Sequence, residues 1–99
     1  MIHVLAIITA KPGKRAALLE AFKAIVPTVH AEAGCIEYGP VIDVQNAEPA
    51  FGPDTFVVVE KWESMAALKA HAAAPHMHAY GEKTKNLVAK RAVHVLTPA

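Results

Sequence analysis

The sequence predicts an α+β protein of the ferredoxin-like kind, ordered β-α-β-β-α-β, whose four-stranded antiparallel sheet carries its helices on one face. Three observations predict it: four segments rich in β-branched residues, a helical apolar stripe between the first two, and a second helical region ahead of the last. With 99 residues the chain has room for one domain, over 1–99, and one core.

Ile2-His3-Val4-Leu5-Ala6-Ile7-Ile8-Thr9 reads as the first strand, and Lys11-Pro12-Gly13 turns the chain out of it. From about Lys14 to Ala31 the period becomes helical. Leu18, Phe22, Ile25 and Val29 share a stripe that Leu19 and Val26 widen, with Lys14, Arg15, Glu20 and Lys23 outside it. Pro27 kinks or tightens the last turn, and Gly34 is the stop signal. The second strand is Cys35 to Val44, alternating Ile36, Tyr38, Ile42 and Val44 against Glu37 and Asp43, with an irregularity expected at Gly39-Pro40. Asn46, Pro49, Gly52 and Pro53 mark a loop over Gln45 to Pro53. Thr55 to Trp62 is the third strand. Ser64 caps a short helix bearing Met65, Leu68 and Ala72 on one side. Ala73-Ala74-Pro75 breaks that helix, which resumes from about His76 to Lys85. Ala92 to Leu96 is the last strand, stopped by Pro98.

A sheet with one wet face alternates apolar and polar residues. Here Val4, Ala6 and Ile8 oppose Leu5 and Ile7, and Phe56, Val58 and Trp62 oppose Val57 and Val59, so both faces are apolar. The helices suffice for one face. Leaving five or six large side chains wet forgoes roughly 1.5–3 kcal/mol each, so a second copy of the sheet is expected face to face, as a homodimer.

Hydrophobic residues make up 54% of the chain and charged ones 19%, too apolar for a disordered segment. Ten basic against nine acidic residues leave a net charge of +1, which offers no field for nucleic acid or an acidic membrane surface. No apolar run approaches the ~20 residues that cross a bilayer, and Met1 to Ala10 lacks the basic flank of a signal peptide. The single cysteine staples nothing, so a reducing cytoplasm is the expected location.

The chemistry-bearing residues are six histidines, a few aromatics and one carboxylate on an apolar strand. His3 and His94, at the edges of apolar strands, read as buried and hydrogen-bonded. His76 and His78 diverge on a helix and no acid lies between Glu63 and Glu82, so no metal site is expected. His71 borders the buried stripe of its helix, where a half-buried imidazole titrates near neutrality and exchanges protons, or is simply a satisfied core histidine. Glu60 shares a strand face with Phe56, Val58 and Trp62. A carboxylate in that company has its pKa raised toward that of a useful base, or forms a plain ion pair in the neighbourhood of Lys61, with His94 or with a partner subunit. Trp62 and Tyr38 are flat groups suited to core or cavity walls, and Tyr80, four residues after His76, can bring a phenol toward that imidazole. No glycine-rich phosphate loop is present, and Cys35 has only His30 as a local basic neighbour. The cavity such residues enclose suits a flat, apolar, hydrogen-bonding ligand.

Glu32-Ala33-Gly34-Cys35-Ile36-Glu37-Tyr38, Glu60-Lys61-Trp62-Glu63-Ser64, Leu68-Lys69-Ala70-His71 and Pro75-His76-Met77-His78-Ala79-Tyr80 follow one another in order. Together they resemble the antibiotic biosynthesis monooxygenase family, most of all its bacterial quinol monooxygenase branch, over nearly the whole chain. The resemblance implies a dimeric α+β barrel that oxygenates its substrate without flavin, haem or metal, hence no cofactor. It matches Trp62 and His71 to the family's Trp and His, and sets Tyr38, Glu60, His76 and Tyr80 around the same cavity. The asparagine that haem-degrading relatives carry on the first strand is absent, where this chain reads Leu5-Ala6-Ile7-Ile8. Two functions are carried forward. One is oxidation of a quinol or related hydroxylated aromatic by dioxygen, with His71 or Glu60 as base and Trp62, Tyr38, His76 and Tyr80 binding substrate. The other is a non-catalytic barrel that binds a small apolar aromatic, with a haem-binding member as a third and weaker reading.

Overall fold

The computed structural model describes residues 1–99, in the order β1 (Ile2–Ala10), α1 (Arg15–His30), β2 (Cys35–Val41), β3 (Thr55–Trp62), α2 (Met65–Ala72), α3 (Pro75–Thr84) and β4 (Val88–Leu96). The strands form one antiparallel sheet in the order β2-β3-β1-β4, so the two most apolar strands are central. This is the predicted split motif, with its second helical unit in two pieces. The break follows from Pro75: the residue before a proline avoids the helical region, and Ala74 is extended (φ −64°, ψ 139°). Pro75 then opens α3, where its missing N–H costs nothing. Ser64 caps α2 as expected, its Oγ accepting the N–H of Ala67 at 3.1 Å. No helix is long and apolar enough to cross a membrane.

Register sorts the strand residues. Ile2, Val4, Ala6 and Ile8 face inward with Phe56, Val58, Glu60 and Trp62, and Tyr38 joins them from β2. The core is this face packed under Leu18, Phe22 and Val29 of α1, with Trp62, Phe56 and Leu18 almost fully buried. The helices lie over the β2–β3 side and leave the inward side chains of β4 uncovered: Val93 and Val95 are each 47% exposed. On the outer face Leu5, Val41 and Leu96 stand exposed, with no helical layer over them.

Four expectations are corrected. β2 ends at Val41, not Val44, because the Asp43 carboxylate turns away to accept the N–H groups of Phe51 (3.1 Å) and Gly52 (2.9 Å) and folds the loop instead of continuing the alternation. The irregularity in β2 falls at Ile36, between Cys35 and Glu37, while Gly39 and Pro40 pair in register with Val59 and Val58. Pro40 is tolerated because β2 is an edge strand whose outer backbone groups have no partner to lose. β4 starts at Val88 rather than Ala92. Val88 is half-buried and Ala89, Lys90 and Arg91 are exposed, and their pairing with β1 rests on backbone hydrogen bonds that leave no apolar alternation. His3 and His94, expected to be buried, project from the uncovered outer face, His94 exposed and His3 half-buried.

One glycine matters to the site. Gly34 has φ +82°, and a Cβ there would lie 2.6 Å from the Cβ of Ala67. The turn after α1 therefore presses directly on α2, which no larger residue permits.

Candidate active site

Between the inner sheet face and α2–α3 lies a cavity of about 930 Å³ that opens toward β4. Val4, Ala6 and Val58 form its floor, Leu68 and Met77 its roof, and Arg91 stands at the β4 side. Of the sequence-predicted residues, Tyr38, Glu60, His71 and Tyr80 border it. A shallower depression of about 320 Å³ along the β2 edge, near His30 and Val41, holds neither Glu60 nor His71.

Glu60 lies between Val4 of β1 and Tyr38 of β2 in the sheet register. Two residues on, and so on the same face, Trp62 donates its indole N–H to Glu60 Oε1 at 2.9 Å. Burial pushes the Glu60 carboxyl above the ordinary glutamate range; the Trp62 hydrogen bond, His71 and Arg91 pull it back in part, and the Glu32 charge adds to the rise. Pairing with His94 is excluded, because that residue projects from the opposite face.

His71, in the last turn of α2, is buried, with its ring centroid 4.6 Å from that of Trp62 and an interplanar angle of 36°. The Tyr38 ring meets its edge at 5.4 Å. Its Nδ1 lies 2.9 Å from Glu32 Oε2, and the same oxygen lies 2.8 Å from His76 Nε2. Tyr38 also stacks on Phe22, at 5.4 Å and 28°, and burial drives its phenol far above the usual range, so it stays protonated. Burial raises the Tyr80 phenol and the Cys35 thiol as well, which leaves Cys35 a poor nucleophile.

Two expected cavity walls stand elsewhere. Trp62 is fully buried behind His71 and does not border the cavity, because Glu60 draws its N–H down and the imidazole covers its face. His76 is turned away toward Glu32, and Tyr80 packs edge-on against Phe22 at 6.1 Å instead of beside His76. Glu32 is the residue that sequence reasoning missed. No acid lies near the histidines along the chain between Glu63 and Glu82; the one they meet comes from the α1–β2 turn. Its available signals were its place at the head of the Glu32-to-Tyr38 segment and two residues ahead of Gly34. No group of three or more His, Cys, Asp or Glu side chains is arranged to hold a metal ion.

Fold and site together define a ferredoxin-like α+β protein with a largely apolar cavity, bordered by a buried carboxylate and a buried imidazole. The chain belongs to the antibiotic biosynthesis monooxygenase family, whose model matches residues 1–83. It is 41% identical over 102 residues to the "Probable quinol monooxygenase YgiN" of Escherichia coli K12, covering 99% of this chain and 98% of that one. Among solved structures, PA3566 from Pseudomonas aeruginosa superposes with a TM-score of 0.83 at 28% identity, covering 99% of this chain and 93% of that one. Rv0793 from Mycobacterium tuberculosis does so with a TM-score of 0.82 at 27% identity, covering 99% and 94%.

Proposed function

We propose that this protein is a monooxygenase that oxidises a quinol or a related hydroxylated aromatic with dioxygen, as a homodimer and without flavin, haem or metal. The observation that carries the reading is the pairing of a largely apolar cavity with two buried proton acceptors at its wall. Each is anchored by one atom and free at another: Glu60 through Oε1 to Trp62, and His71 through Nδ1 to Glu32. The name of the Escherichia coli relative points to the same substrate class.

The chemistry asks little more of a protein. Removal of a phenolic proton by His71 or Glu60 makes the bound quinol electron-rich enough to pass one electron to dioxygen. The radical pair combines at a ring carbon, the O–O bond breaks, and a second proton loss leaves a hydroxylated quinone and one water. Quinol plus dioxygen balances quinone-ol plus water, with no external reductant. Apolar walls keep bulk water from the radical pair, and the Tyr38 and Tyr80 phenols, held protonated by burial, serve as donors to the substrate oxygens. The dimer is supported by the apolar outer face, where Leu5 is 38% and Leu96 45% exposed in the single chain.

Oxygen uptake by metal-free protein with a reduced naphthoquinone tests the reading. The wild type is expected to consume oxygen faster than buffer, and His71→Ala and Glu60→Ala to lose most of that rate. Unchanged turnover in both variants removes these residues from the mechanism. Quinone binding by calorimetry with oxygen uptake no faster than in buffer makes the protein a carrier instead.

A further inference from the structure

Glu32 has no part in the reaction as drawn above, yet its carboxylate sits at the junction of three elements. It lies in the turn between α1 and β2, its side chain is only 14% exposed, and its Oε2 meets both His71 Nδ1 of α2 and His76 Nε2 of α3. An ionised carboxylate has no proton to give, so both ring nitrogens must donate. A neutral imidazole carries one proton. Its position is therefore decided in each ring: on Nδ1 in His71 and on Nε2 in His76.

We infer that Glu32 is a positioning residue that holds His71 in its Nδ1–H tautomer, so that the Nε2 lone pair is what His71 offers to the cavity. Nε2 of His71 has no hydrogen-bond partner within the fold. Nδ1 is taken by Glu32, one face lies against Trp62 and Tyr38 closes an edge, while the residue still borders the cavity. With the other tautomer, Nε2 would carry the proton and His71 could not accept one from a substrate hydroxyl. The bond to His76 fastens the first turn of α3 to the same oxygen, which keeps the Ala73–Ala74 break in place beside the ring. Gly34 makes the arrangement possible, since its lack of a Cβ lets the turn that carries Glu32 reach α2. That the freed nitrogen works on a substrate rests on the function proposed above; the tautomer itself does not.

Long-range ¹⁵N–¹H NMR of the imidazoles, at a pH where they are neutral, reads the tautomers directly, alongside oxygen uptake with a reduced naphthoquinone. In the wild type His71 is expected as Nδ1–H and His76 as Nε2–H. Glu32→Gln retains an acceptor oxygen and is expected to keep the His71 tautomer and most of the uptake. Glu32→Ala is expected to release the tautomer and lower uptake roughly ten- to a hundredfold, within the contribution of a general base. His71 found as Nε2–H in the wild type overturns the inference, as does Glu32→Ala with both the tautomer and the uptake unchanged. If Glu32→Ala does not fold, the wild-type and Glu32→Gln spectra decide the question alone. Absence of oxygen uptake in every protein, with the tautomers as expected, overturns the proposed function and leaves the role of Glu32 standing.

Discussion

The indole N–H of Trp62 donates to Glu60 Oε1 across 2.9 Å, with both side chains buried on the inner face of β3. In exchanging water for this one donor the carboxylate gives up more solvation than it regains, and burial outweighs the hydrogen bond in setting its pKa. A strand thus presents, at a cavity wall, a carboxyl that keeps its proton to higher pH than glutamates on the surface.

Stability should report this. Because the folded-state pKa of Glu60 is raised above the ordinary 4.5, the folded protein binds more protons than the unfolded chain between the two values. The contribution is fully present below the unfolded pKa and is lost as pH rises through the folded one. Thermal melts across that window should show the wild type losing stability relative to Glu60→Gln, which has no proton to release. Parallel curves for the two proteins would contradict the raised pKa.

Trp62→Phe removes the donor but keeps an aromatic beneath His71. Leaving a buried carboxylate oxygen unpaired costs about 1–3 kcal/mol and moves the Glu60 pKa further up. If Glu60 is the base, the acid limb of kcat/KM against pH should shift to higher pH in this variant and disappear in Glu60→Gln.

Gly34→Ala combines a strained positive φ with a 2.6 Å approach to the Ala67 Cβ. The backbone strain, about 1–2 kcal/mol, and the overpacking, about 1–3, should together lower the denaturant midpoint by an amount equivalent to roughly 2–5 kcal/mol. Adding Ala67→Gly should restore the overpacking part and leave the backbone part.

Tyr38→Phe keeps the ring against Phe22 and His71 while deleting the phenol. Loss of one substrate hydrogen bond, about 0.5–1.5 kcal/mol, should raise KM by roughly 2- to 10-fold with the melting temperature little changed.

Leu5→Glu places a charge on the apolar outer face without touching the inner one, because neighbours along a strand point to opposite sides. Sedimentation at micromolar concentration should show a dimer for the wild type and a folded, smaller species for the variant. A wild-type monomer under those conditions would refute the dimer.

Much of this molecule is local in origin. The alternation of Val4, Ala6 and Ile8 against Leu5 and Ile7, the Leu18-Phe22-Val29 stripe and the Ala74-Pro75 break each follow from geometry within a few residues, so the order of elements and both faces of the sheet were legible. The first part of β4, from Val88 to Arg91, was not, because exposed backbone pairing leaves no hydrophobic period to read. Glu60 and His71 stood out singly, for a charge or an imidazole beside an apolar stripe is visible in one dimension. What each of them touches was decided only in three. His71 and His76 meet Glu32 across 39 and 44 residues of chain, and Trp62 lies behind His71 instead of in the cavity because α2 folds over it. Periodicity records which way a side chain points from its own backbone; its partners depend on how helices and turns are brought together, and no spacing along the chain encodes that.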